Sequence, residues 1–157
     1  MNTLIAIDPG KTGGMAIRNH DGTFEAMKMP PTVRDLIDAL EEVVKGHYHD
    51  EFEPPIVIIE DVPPFAGKAQ SGSSAFKLGK NVGQIEGVIQ CLNLRMEKVR
   101  PQTWMKALGL GTRNGSTPTQ WKNKLKNRAQ ELHPDLKLTL ATCDAVLLLE
   151  YFLKGAA

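Results

Sequence analysis

Two short apolar runs, each closed by a carboxylate, constrain this chain more than any other feature of it. The first spans Thr3 to Asp8 and is ended by Asp-Pro-Gly; the second is the β-branched run Ile56 to Ile59, followed by Glu60. Unbroken apolar runs this short read as strands buried on both faces rather than as helices. A strand buried on both faces requires helices above and below its sheet, so the runs point to a layered α/β architecture.

The remaining pattern supplies those layers. Gly14 to Arg18 and Phe24 to Met29 read as strands joined by a His20-Asp21-Gly22-Thr23 hairpin turn, which gives three antiparallel strands at the N-terminus. Pro30-Pro31 ends the sheet, and Thr32 is placed to cap a helix running to about His47. His47 to Pro55 reads as a loop before the Ile56–Ile59 strand, and Val62 to Ser74 as a long Pro/Gly/Ser-rich loop of the kind that often carries function. A helix is expected from about Ser74 to Leu94, with a stripe of small residues at Ala75, Gly79, Gly83 and Gly87. The plainest reading of that stripe is tight packing against a neighbouring element. A strand from Met96 to Arg100, a helical turn from Trp104 to Leu108 and a flexible basic loop from Gly109 to Ser116 follow. Thr117-Pro118-Thr119-Gln120 combines Pro at the first helical position with a capping box, and starts a helix to about His133. A last helix is expected over about Leu140 to Lys154, with Gly155 as its C-terminal cap. The order β-β-β-α-β-α-β-α-α predicts one domain, residues 1–157, built on a mixed sheet with helices on both faces.

Composition removes several classes. With 157 residues, 41% of them hydrophobic and 24% charged, the chain can bury a core without disulfides or metal staples. There is no apolar run of membrane-spanning length and no signal or transit peptide pattern, so a cytoplasmic or nucleoid-associated protein is expected. Cys91 and Cys143 lie in apolar stretches and read as reduced core thiols, and no Cys/His cluster has zinc spacing. The net charge of +1 conceals a division. Residues 21–61 hold eleven acids against three bases, and residues 95–137 hold ten bases against three acids. A basic segment of this kind can face a polyanion, although solvated helix faces would give the same counts.

Three acids carry the chemistry. Asp8 and Glu60 end buried strands, and Asp144 lies inside the apolar helix ATCDAVLLLEYF. A carboxylate beside a hydrophobic core is costly unless it is paired or binds a metal, and no basic residue stands near Glu60 or Asp144 in sequence. Three such acids converging would form an oxygen-rich site for Mg²⁺ or Mn²⁺. Each has a simpler reading: Asp8 as a turn former, Glu60 as a surface acid, Asp144 as a helix cap. Asp61 competes with Glu60, since adjacent strand residues point to opposite faces. Lys11 and Thr12 after Gly10 suggest a P-loop, but Ile5 stands where that motif requires glycine. An Asp-X-Gly-X-Thr phosphate loop also fits Asp8, Gly10 and Thr12, but kinases of that type need two such domains.

The motifs IAIDPG, IIED followed by SSAFKLGKNVGQIEGVI, VRPQTWMKALG and TCDAVLLL stand in an order that resembles the RuvC-type Holliday junction resolvases of the RNase H-like superfamily. The resemblance implies an RNase H-like mixed five-stranded sheet and a Mg²⁺-dependent endonuclease, with Mn²⁺ able to substitute. It also implies a homodimer that cuts four-way DNA junctions in paired fashion. The family's carboxylates fall on Asp8, Glu60 and Asp144, as catalytic residues and metal ligands. Its base-engaging aromatic falls on Phe65. Lys68, Lys77, Lys80, Lys122, Lys124, Lys126 and Arg128 are then expected to track phosphates. One position departs: where the family has an Asp or His three residues before the last Asp, this chain has Ala141. Either Asp61 or Asp135 compensates, or a second ion is held by fewer ligands. Rival readings are a nuclease for flaps, other branched DNA or RNA, and a junction-binding module that has lost catalysis.

Overall fold

A computed structural model describes residues 2–10, 12–46, 53–62 and 71–155. Five strands form one sheet in the order β3-β2-β1-β4-β5: β1 Leu4–Ile7, β2 Gly14–Arg18, β3 Phe24–Lys28, β4 Ile56–Glu60 and β5 Arg95–Val99. The β1–β2 and β2–β3 pairs are antiparallel, and the β1–β4 and β4–β5 pairs are parallel. Five helices accompany them: α1 Val33–Lys45, α2 Gly72–Cys91, α3 Pro101–Ala107, α4 Pro118–Leu132 and α5 Cys143–Gly155.

Strand parity divides the interior into two cores. Leu4, Ala6, Ala16 and Ile58 face α3, α4 and α5. Ile5, Ile7, Met15, Ile17, Val57 and Ile59 face α1 and α2. The unbroken apolar runs therefore serve two helical layers at once, with alternate residues given to each. Helix α5 is buried at every position from Cys143 to Leu149 and packs over β1, β2 and β4, which accounts for its lack of amphipathic periodicity.

The caps on α1 and α4 form as expected. Thr32 closes a capping box with Asp35, and Thr117 closes one with Gln120. Several boundaries differ from the sequence reading. Helix α3 begins at Pro101, which occupies its first turn, rather than at Trp104. Helix α5 begins at Cys143 rather than Leu140, because Thr139 N–H donates to Thr142 Oγ1 and residues 139–142 form a turn. Gly155 closes α5 from within instead of capping it. Helix α2 stops three residues early, at Cys91, and Asn93 takes a left-handed conformation (φ 55°) just beyond it. Its N–H bonds Gln90 O, and the next N–H, of Leu94, bonds Ile89 O, which completes a Schellman motif.

The expected tight packing of the small stripe on α2 is not found. Among the described residues, a Cβ added at Gly79, Gly83 or Gly87 would meet no atom within 4 Å. Phe76 on the same helix is 71% exposed. This face is open because α2 packs on the sheet through Ile85, Val88 and Ile89. Cys143 is buried, but Cys91 is exposed and is not a core thiol. Among the described residues no helix is long and apolar enough to cross a membrane.

Candidate active site

The same parity that divides the core places the acids. Glu60 continues the register of Ile58, and Asp8 that of Ala6, so both turn toward the layer that holds α5 and Asp144. Asp61 has the opposite parity and reaches Arg100 instead, at 3.8 Å. It therefore lies on the opposite side of the strand from Glu60. Asp135 is exposed.

Backbone holds Asp8. Its N–H extends the β1–β2 ladder to Gly14 O at 3.0 Å, and its Oδ1 accepts from Gly10 N–H at 3.2 Å. Gly13 makes this turn possible, since a Cβ there would lie 2.1 Å from Asp8 O and 2.9 Å from Asp8 Cγ. Asn81 of α2 donates from Nδ2 to Pro9 O and ties the turn to that helix. Glu60 is held by a side chain: Oε2 accepts from Nε1 of Trp104, at 3.0 Å, and Trp104 is wholly buried. Asp144 is engaged on both oxygens. Oδ1 faces the Cys143 thiol at 3.3 Å, and Oδ2 pairs with Lys122 Nζ from α4.

That pairing corrects the expectation that Asp144 lacks a basic partner. The partner comes from 22 residues upstream, on another helix. The side chain of Asp144 is only 9% exposed, so removing Lys122 would leave a nearly buried carboxylate uncompensated, a loss on the order of 3–5 kcal/mol.

The three acids act on one another. Burial raises the Asp8 carboxyl above its ordinary range; the Asp144 charge adds to this, and Gly10 N–H and Lys122 work against it. Burial pushes Glu60 up to about 7, assisted by Asp8 and Asp144 and opposed by Trp104 and Lys122. Burial alone would lower Lys122, but Asp144 and Asp8 hold it above the usual lysine value. Burial, then Asp144, pushes the Cys143 thiol up to about 12, so it stays protonated near neutral pH. Among the described residues a single ammonium, that of Lys122, acts on the three carboxylates, which leaves the described cluster short of positive charge.

A hard divalent cation fits this deficit and this donor set, which consists of carboxylate oxygens without thiolate or imidazole. Among the described residues, however, no three His, Cys, Asp or Glu side chains already stand as a closed ligand group. The proton affinities of Asp8 and Glu60 are raised by this crowding of buried carboxylates, and Asp144 pairs with Lys122.

The expected phosphate-tracking residues separate. Phe65 and Lys68 lie outside the described residues. Lys77 and Lys80 border a cleft of about 770 Å³ that reaches Gly10 and Asn81, beside the Asp8 turn. The α4 cations do not share one face, because a spacing of two does not match a helical period of 3.6. Lys122 turns into the acid cluster, with Lys126 one turn later on its side. Lys124 turns away, donates to Leu110 O at 2.8 Å and lies 5.3 Å from the centre of the Trp121 ring. Arg128 pairs with Glu131 at 2.9 Å. Sequence reasoning missed Trp104, Gly13 and Asn81 as site residues. The doubled glycine at 13–14 was the one available signal, since adjacent glycines after a strand-ending acid mark a close backbone approach.

No family model matches the sequence, and no curated protein matches it. The fold matches a Thermus thermophilus RuvC structure with a TM-score of 0.54 at 16% identity, over 98% of this chain and 96% of that one. A T. thermophilus RuvC structure in complex with Holliday junction substrate also matches with a TM-score of 0.54, at 14% identity, over 99% of this chain and 96% of that one. The likeness extends over nearly the whole of both chains and shows that this chain has a RuvC-like fold, here a mixed five-stranded sheet with helices of the RNase H-like α/β type.

Proposed function

We propose that this protein is a divalent-metal-dependent DNA endonuclease that acts on branched DNA, four-way junctions above all. The observation that carries the proposal is the convergence of Asp8, Glu60 and Asp144 on one side of the sheet, in a fold shared with a RuvC bound to a Holliday junction substrate. Asp8 and Glu60 would hold the ion, with Asp144 beside them. When bound, such an ion supplies Lewis-acid activation of water and charge compensation at the scissile phosphate.

The chain's own residues prepare that site. Gly10 N–H fixes one oxygen of Asp8, and Trp104 Nε1–H fixes one oxygen of Glu60. Each acid thus presents its second oxygen in a set direction, at no entropic cost when an ion arrives. Trp104 also excludes water behind Glu60. Lys77 and Lys80, along the neighbouring cleft, and Lys126 are placed to meet phosphates, which gives affinity for shape rather than for sequence. The open face of α2, with Phe76 beside Gly79, Gly83 and Gly87, fits a symmetric contact with a second copy. Two copies would present two cutting sites to the two strands of a junction.

Cleavage of a labelled four-way junction, beside a linear duplex and a splayed flap, in Mg²⁺, Mn²⁺ or EDTA, tests the proposal. Paired nicks confined to the junction and lost in EDTA are expected. Asp8→Asn should abolish cutting while junction binding persists; loss of both together would count against the assignment. The Lys122–Asp144 pair and Ala141 favour one second reading, a junction-binding module without catalysis. Tight junction binding with no cut under either metal would select it.

A further inference from the structure

Within the nuclease reading, the geometry points to a site that takes one divalent ion, with the Lys122 ammonium serving as its second positive charge. The two ends of the acid cluster differ. At one end Asp8 and Glu60 are each held through a single oxygen, Oδ1 by Gly10 N–H and Oε2 by Trp104 Nε1–H. Among the described residues Asp8 Oδ2 and Glu60 Oε1 accept no hydrogen bond, so two carboxylate oxygens are available to one ion. At the other end both oxygens of Asp144 are engaged: Oδ2 pairs with Lys122 Nζ, and Oδ1 faces the Cys143 thiol.

Among the described residues nothing else at that end is seen to supply a ligand. Ala141, three residues before Asp144 in the turn that leads into α5, has no ligating atom in its side chain. Its backbone carbonyl lies against Gly14, 2.6 Å from where a Cβ would stand there. A second divalent ion at Asp144 would have a single carboxylate, shared with an ammonium, and would feel that ammonium's repulsion at close range. An ammonium fixed on a nearly buried carboxylate supplies part of the same electrostatic service, a positive charge close to where phosphate charge develops, without a ligand cage. Lys122 fits this use. Its stem is partly buried against α5, and it lies near Asp8 as well as Asp144. Lys122 is then a positioning residue for Asp144 and for the charge of the site.

Mn²⁺ binding, counted by the loss of the free-ion signal in electron paramagnetic resonance, tests this without reference to cleavage. The wild type should bind one ion per chain. Ligand-shell changes typically alter metal affinity on the order of ten- to a hundredfold, so Asp8→Asn and Glu60→Gln should lose at least about tenfold, and Asp144→Asn should stay within about threefold. Lys122→Met should take up a second ion, and Lys122→Arg should return the count to one. Two ions in the wild type, a larger loss in Asp144→Asn, or a Lys122→Met protein that folds and still binds one ion would each overturn the inference and leave the nuclease reading standing. If Lys122→Met does not fold, the wild-type count and Asp144→Asn decide. Absence of Mn²⁺ binding in the wild type would remove both.

Discussion

The raised proton affinity of Glu60 should be visible as a stability defect that depends on pH. In the folded chain Glu60 gives up its proton at about 7, against an ordinary value of 4.5. That gap corresponds to about 3 kcal/mol of differential interaction, an upper bound because neighbouring acids share it. Below about pH 4.5 both the folded and the unfolded chain hold the proton, so Glu60 costs the fold nothing. Between 4.5 and about 7 the unfolded chain ionises and the folded chain does not, so stability falls as pH rises. Above about 7 the cost is complete. Glu60→Gln removes the titration and keeps an acceptor for Trp104 Nε1–H. In metal-free buffer the variant should match the wild type near pH 4.5. It should exceed it by about 2–3 kcal/mol at pH 8, roughly 5–10 °C in Tm for a chain of this size. Urea melts at half-unit steps of pH, followed by circular dichroism, measure the gap. Added Mn²⁺ should close it by stabilising only the wild type. A gap that is flat with pH, or that opens toward acid, would refute the placement of Glu60 among mutually repelling buried carboxylates.

Three further outcomes follow from the same geometry. Gly13→Ala should destabilise the fold by about 1–3 kcal/mol, as overpacking does, and should also abolish cleavage, because the new Cβ would lie against the backbone and carboxyl of Asp8; a thermal melt and the junction assay check both. Trp104→Phe removes the indole N–H that lowers Glu60, so the alkaline-rising limb of the pH–rate profile should move to higher pH; an unmoved limb would mean that the hydrogen bond has no part in tuning this acid. Phe76→Asp on the open face of α2 should convert a dimer to a monomer in sedimentation velocity without lowering Tm, since this side chain is 71% exposed within the chain.

Strand parity made much of the fold, and two of the three acids, legible in advance. Once Thr3–Ile7 and Ile56–Ile59 read as strands buried on both faces, the residue closing each run had to lie at the sheet's end, on a side fixed by alternation. Asp144 was legible for another reason, as a charge inside an apolar helix. Its partner was not, because burial demands compensation without naming who supplies it, and Lys122 arrives through the packing of α4 on α5. How Lys122, Lys124, Lys126 and Arg128 divide between two sides of α4 follows from helical geometry, since alternate residues do not share a face. The small stripe on α2 carries no local sign of whether it meets this chain or another. Trp104 was hidden because its role depends on α3 starting at Pro101, which swings the indole under β4 to reach Glu60.

The hydrogen bond between Trp104 and Glu60 has an optical consequence. The chain has two tryptophans, and they are wired to different events. The indole of Trp104 is shut away from solvent and touches one of the acids that would ligate an ion. Trp121, only 8% exposed, sits beneath the Lys124 ammonium on α4. A change of charge at Glu60 should perturb the emission of the first, and any contact that draws Lys124 off the Trp121 ring should perturb the second. With one tryptophan replaced by phenylalanine at a time, the protein's own fluorescence would separate the arrival of an ion from the arrival of DNA, and the order of the two could be read in a stopped-flow trace without any added label.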